Sequence, residues 1–126
     1  MPEQQQTKTV LLIDDDPAIH FAFHKVLVKK NYQTISLFQC NDAVATVKTK
    51  NPHMVIINLK ALGKTEATLV QQLKQLKPDL PVVIMTAFTN EITSQKCRAI
   101  GADDYLEKPF EIQQMLQKME LLLKKI

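Results

Sequence analysis

Three consecutive carboxylates, Asp14, Asp15 and Asp16, directly follow the apolar run Val10 to Ile13, and Asn58, Thr86 and Lys108 each follow a later apolar run. Hard carboxylate oxygens suit a divalent cation such as Mg²⁺, while an ammonium and a hydroxyl neutralise and hydrogen-bond phosphoryl oxygens. Brought together by one fold, these groups would bind or transfer a phosphoryl group. Taken singly they have plainer roles: the triplet as a solvated turn with one helix cap, Thr86 as a cap and Lys108 as a surface charge.

The elements that must position them follow from hydrophobic spacing. Val10 to Ile13, Thr34 to Phe38, His53 to Ile57, Pro81 to Met85 and, more weakly, Tyr105 to Leu106 read as strands. Runs such as Val-Leu-Leu-Ile are apolar at every position, as parallel strands covered on both faces require. Asp16 caps a helix with Pro17 at its first position, running to about Lys30 with Ile19, Phe23, Val26 and Leu27 on one face. Further helices are predicted over Asp42–Thr49, Thr65–Leu76, Glu91–Ile100 stopped by Gly101, and Glu111–Lys125. Alternation of strand and helix makes a doubly wound α/β domain, in which function sits at the carboxyl ends of the strands. The residues singled out above are the ones that follow those ends.

Composition narrows the classes. A chain of 126 residues fits one domain, here 9–126 behind a disordered polar tail over 1–8. Cys40 and Cys97 lie in no ligand spacing, which predicts free thiols in a reducing cytoplasm. No run approaches the ~18 apolar residues of a membrane span. The 16 basic and 13 acidic residues are dispersed along the chain, so direct nucleic-acid binding is not expected. Only Gly63 and Gly101 are present, too few for a dinucleotide cradle.

From about Lys8 to Leu123 the sequence resembles the CheY-like receiver domain of bacterial two-component response regulators. The resemblance is carried by Leu11-Leu12-Ile13-Asp14-Asp15-Asp16-Pro17, by Val83-Ile84-Met85-Thr86-Ala87-Phe88, and by the segment from Gly101 to Phe110, Gly-Ala-Asp-Asp-Tyr-Leu-Glu-Lys-Pro-Phe. It implies a flavodoxin-like sheet of order 2-1-3-4-5 flanked by five helices. It also implies a metal site with Asp15 as direct ligand, Asp14 acting through water and the Lys60 carbonyl as a further ligand. Thr86 matches the switch hydroxyl, Tyr105 the aromatic that changes rotamer with it, and Lys108 the ammonium on the phosphoryl group. The implied partners are a sensor histidine kinase, a phosphotransfer protein or an attached output domain, with a homodimer left open; the module is not an enzyme. The wording around Thr86 and Tyr105 looks most like receivers of enhancer-binding activators.

One position departs from the family. The third strand of a receiver ends in the aspartate that accepts the phosphoryl group, and this chain has Asn58 there. An amide is a poor nucleophile and brings no anionic oxygen to a metal, so ordinary phosphorylation should fail and Mg²⁺ binding should weaken. This predicts a pseudo-receiver acting through protein contacts; the alternative is a conventional phospho-switch carrying an inactivating Asp→Asn change. Leu62 and Glu66 stand where a typical receiver has proline and glycine, which argues for natural divergence over a designed change.

Two enzyme-like readings compete. Asn58 to Thr65 follows a strand and ends in Gly-Lys-Thr like a P-loop, but lacks its first glycine. Asp14-x-Asp16 resembles the nucleophile motif of haloacid-dehalogenase-type Mg²⁺-dependent phosphatases, although Ala18 stands where a threonine belongs and no cap domain is evident. His20 and His24 share a helical stripe but lack a third zinc ligand, which reads as exposed histidines. Met115, Leu116 and Met119 read as core. Phe21 and Val28 lie on the stripe opposite Phe23 and are a candidate partner surface. The Lys108-Pro109 bond is expected to be cis.

Overall fold

The computed structural model describes residues 7–60, 65–87, 89 and 92–124. Its strands are β1 (Lys8–Ile13), β2 (Tyr32–Leu37), β3 (Met54–Asn58), β4 (Val82–Thr86) and β5 (Asp104–Glu107). Between and after them lie α1 (Pro17–Lys29), α2 (Ala43–Lys50), α3 (Thr65–Leu76), α4 (Ser94–Ala99) and α5 (Ile112–Leu123). All pairings are parallel and the strand order is 2-1-3-4-5. Of the tail expected over 1–8, residues 1–6 lie outside the described residues and Lys8 already opens β1.

Continuous apolar strands follow from burial on both faces. Leu11, Ile13, Val55, Ile57 and Ile84 pack with Val47, Val70 and Leu73 of α2 and α3. Their neighbours in sequence, Val10, Leu12, Met54, Ile56 and Met85, point the other way, onto Phe23 and Leu27 of α1 and Met115 and Met119 of α5. The period of two in a strand thus divides one apolar run between two cores. Among the described residues, no helix is long and apolar enough to cross a membrane.

Helix ends depart from the sequence reading where caps decide them. Asp16 Oδ1 accepts from Ala18 N at 2.9 Å and opens α1 at Pro17 as expected. The fourth helix is shorter than expected because Thr93 caps it, its Oγ1 accepting from Lys96 N at 3.2 Å; Glu91, the expected start, lies outside the described residues. A reciprocal Glu111/Gln114 capping box starts α5 at Ile112. Phe38, expected in the second strand, lies just beyond it.

Candidate functional site

The carboxyl ends of β1 and β3 line one crevice with Asp14, Asp15, Asn58 and Lys60, and the ends of β4 and β5 adjoin it, Thr86 through Leu59 and Lys108 through Asn58. Asp14 is buried beside the end of β1, its N–H donating to Leu37 O at 3.1 Å. Its Oδ1 accepts from Asp16 N at 2.9 Å, whereas its buried Oδ2 has no hydrogen bond. Among the described residues, the ammonium within ion-pair reach of that oxygen is Lys108 Nζ, at 3.9 Å. Lys108 Nζ donates instead to Asn58 Oδ1 at 3.0 Å. The backbone that aims it is fixed by Lys108 N donating to Thr86 O at 2.8 Å and by the expected cis Lys108-Pro109 bond.

Thr86 is buried, and its Oγ1 donates to Leu59 O at 2.6 Å, tying the end of β4 to the residue after β3. Tyr105 stands one strand over, in register with Ile84, with the Arg98 guanidinium 5.1 Å and the Lys118 ammonium 5.4 Å from its ring centre. Asp14, Asn58, Thr86 and Lys108 therefore surround one locus, and Tyr105 lies toward α4 and α5 between two cations.

Asp15 is solvent-exposed and paired with the Lys60 ammonium. That hydrogen bond holds the Asp15 carboxyl below the usual carboxylate value and raises the Lys60 ammonium above its own. The resemblance gave Lys60 a role through its carbonyl; here it is the side chain that meets the acidic pair. The donor set consequently suits a resident divalent cation poorly. Two carboxylates face two ammoniums, Asn58 Oδ1 is engaged by Lys108, and Asp14 Oδ2 is, among the described residues, the one buried anionic oxygen without a hydrogen bond. No group of three or more His, Cys, Asp or Glu suited to a metal occurs among the described residues.

His20 corrects the sequence reading. Expected to be exposed, it is 5% accessible, with Nε2 at 2.6 Å from Asp14 O and its ring centre 4.3 Å from that of Phe38. The carbonyl only accepts, so Nε2 carries the hydrogen. A signal was present, since His20, Phe23 and Leu27 share one buried stripe. His24 is exposed as expected, its Nδ1 2.8 Å from Thr34 Oγ1.

Asp16, the second aspartate of the phosphatase-like motif, spends its carboxylate on capping α1. The P-loop-like reading depends on Gly63 and Lys64, which, like Leu62, lie outside the described residues. Phe21 and Val28 are 71% and 51% exposed on the outer face of α1. Half-buried Cys40 lines the crevice beside Asp15 and Lys60, and Cys97 is buried in the core; burial pushes both thiols up.

Comparison with known proteins agrees with this fold. Residues 10–120 match the model of the response regulator receiver domain family. The DNA-binding transcriptional regulator NtrC of Salmonella typhimurium is 30% identical over 115 residues, covering 91% of this chain and 24% of that protein. The phosphate regulon transcriptional regulatory protein PhoB of Pseudomonas aeruginosa is 25% identical over 120 residues, covering 94% of this chain and 52% of that protein. The chain thus spans between about a quarter and about half of the length of these curated relatives. Among solved structures, a CheY-like response regulator receiver domain protein from Methanospirillum hungatei superposes with a TM-score of 0.85 at 21% identity, covering 95% of this chain and 96% of that one.

Proposed function

The chain belongs to the response regulator receiver domain family, and from that premise we propose that Asn58 occupies its phosphoacceptor position, making a pseudo-receiver that signals through protein contacts without an acyl phosphate. The contact between Lys108 Nζ and Asn58 Oδ1, at 3.0 Å, carries this reading: the ammonium matched to the phosphoryl group is engaged by an uncharged amide. A carboxylate there would attack phosphorus, and an amide does so poorly. Asp14, Asp15 and Lys60 then hold Mg²⁺ only weakly, because one carboxylate is missing and Lys60 neutralises another. Thr86 and Tyr105 keep the positions of a switch pair without the phosphoryl group that would throw it.

In this reading the module is a signalling domain of the cytoplasm, and its partner is a sensor histidine kinase, a phosphotransfer protein or an attached output domain. Phe21 and Val28 on α1 supply the apolar contact. Incubation with a small phosphodonor and Mg²⁺, read by intact mass, tests the proposal. The unaltered chain should gain no phosphoryl group; gain at Asn58 or at Asp14 or Asp15 overturns it. For the surface, Phe21→Ser with Val28→Ser should weaken association with the partner, and unchanged association removes α1 from the reading.

A further inference from the structure

Lysines that are dispersed in sequence are gathered by the topology. Each crossover helix runs antiparallel to the strands, so helix C-termini collect at the strands' amino ends. Lys29 closes α1 and Lys30 follows it, Lys48 and Lys50 lie in the last turn of α2, and Lys8 opens β1 in register with Tyr32. Lys77 follows α3 and its ammonium contacts Asn51, the residue that ends α2. The β2-β1-β3 half of the sheet therefore carries Lys8, Lys29, Lys30, Lys48, Lys50 and Lys77 at one pole.

Little opposes them. Among the described residues, Asp79 and Glu120 are the unpaired acids toward that end, while Asp103 and Asp104, at the start of β5, already hold Lys74 and Lys118 at 2.8 and 3.0 Å. Lys8, Lys29, Lys30, Lys48 and Lys50 form no ion pair or hydrogen bond through their side chains among the described residues, in contrast to Lys60, Lys74, Lys108 and Lys118. A cation in the last turn of a helix complements the macrodipole, which accounts for Lys29 and for Lys48 and Lys50 but not for Lys8 or for the scarcity of carboxylates. The Lys8 charge, after burial, also helps push the nearby His53 imidazole down.

We infer that this pole docks the phosphate backbone of a nucleic acid. Its cations are all lysines, compact point charges without the planar fork that pairs bidentately with carboxylates or guanine edges. Point charges spread over one pole suit a closely spaced line of phosphates, and the contact they make is indifferent to base sequence and sensitive to salt. The opposite pole, with Asp15, Asp16, Asp42 and Glu107, turns away from the polyanion and fixes which end approaches.

Fluorescence anisotropy of a labelled mixed-sequence DNA duplex titrated with the whole chain tests this. Five phosphate contacts give a log–log salt slope near about −4.5, hence roughly 500-fold weaker binding at about 200 mM than at about 50 mM salt. Changing Lys29, Lys30, Lys48 and Lys50 together to Gln should lower the slope to about −1. Asp42→Asn with Glu107→Gln should leave it near the original value, and thermal melts of both variants check that they are folded. Absence of duplex binding at low salt, or full binding by the folded lysine variant, overturns the inference. Tighter binding of a poly-glutamate peptide than of the duplex also overturns it and assigns the pole to an acidic protein.

Discussion

Replacing Asn58 with Asp probes the proposed function most directly, because it changes the charge of the site with almost no change in side-chain volume. As it stands, Asp14 and Asp15 are balanced by Lys60 and Lys108, and Asn58 contributes an uncharged oxygen. The substitution leaves the cluster one negative charge in excess. A divalent ion about 4 Å from one carboxylate gains about 2 kcal/mol at the dielectric of water, or roughly 30-fold in affinity. The Lys60 and Asp15 side of the site is open, at 59% and 57% exposure, whereas the Lys108–Asn58 contact is partly buried and Asp14 is 3% accessible, which raises the gain above its value in water. Lys108, at 3.0 Å from the oxygen of residue 58, competes for the new carboxylate and lowers it, so about 30-fold is the central expectation. Calorimetric titration with Mg²⁺ should show N58D binding more tightly than the unaltered chain. With a small phosphodonor, N58D should gain one phosphoryl group where the unaltered chain gains none. Its rate reads the geometry: a displacement of about 1 Å near Lys60 costs roughly a hundredfold, so fast labelling points to an otherwise intact phospho-switch and slow labelling to a site that diverged as a whole. Equal Mg²⁺ affinity in the two proteins would refute the charge argument, and labelling of the unaltered chain would refute the role given to Asn58.

His20→Leu keeps an apolar bulk but removes the donor on the Asp14 carbonyl, so urea unfolding should show a loss of about 1–3 kcal/mol. Gly101→Ala should cost about 1–3 kcal/mol by the same assay, because φ there is +106° while the nearest atom to an added Cβ, Lys74 Cγ at 3.6 Å, leaves room for it. Lys60→Met should let the Asp15 carboxyl, followed by carbon-detected NMR, titrate nearer its ordinary value of 3.8, since the Lys60 hydrogen bond is the chief cause of its lowering. The stability tied to that depressed carboxyl is present above the ordinary value and fades as pH falls through the lowered one, so the two proteins should converge in stability at the acid end.

What sequence disclosed and what it concealed divide along physical lines. Strand runs such as Val10 to Ile13 were legible because burial on both faces demands unbroken hydrophobicity, and strand ends named Asp14, Asn58, Thr86 and Lys108 because parallel topology brings those ends together. The strand order itself came only through family resemblance, since periodicity fixes faces but not neighbours. Which polar atoms pair was not legible. Lys60 turned out to bring its ammonium to Asp15, a contact across 45 positions that no local pattern encodes. The burial of His20 is legible from the stripe it shares with Phe23 and Leu27, but its partner is a backbone carbonyl, which leaves no mark in sequence. The start of α4 was misplaced because the Thr93 cap outweighed the acidic residue that precedes it.

Charge distribution shows the same division more sharply. A chain with 16 basic and 13 acidic residues looks nearly neutral when counted along its length. Parallel strands joined by antiparallel helices sort those residues by the end of the element they occupy, acids following strand ends and lysines closing helices. Helix dipoles reward that sorting, with anions favoured at helix N-termini and cations at C-termini. The result is a domain with an acidic pole, where Lys60 and Lys108 serve as counterions, and a lysine pole where, among the described residues, Lys8, Lys29, Lys30, Lys48 and Lys50 pair with no carboxylate. Lysines at the first pole are consumed by the site and those at the second remain available to a partner, so a substitution such as Lys48→Gln should alter association while leaving the crevice around Asn58 unchanged.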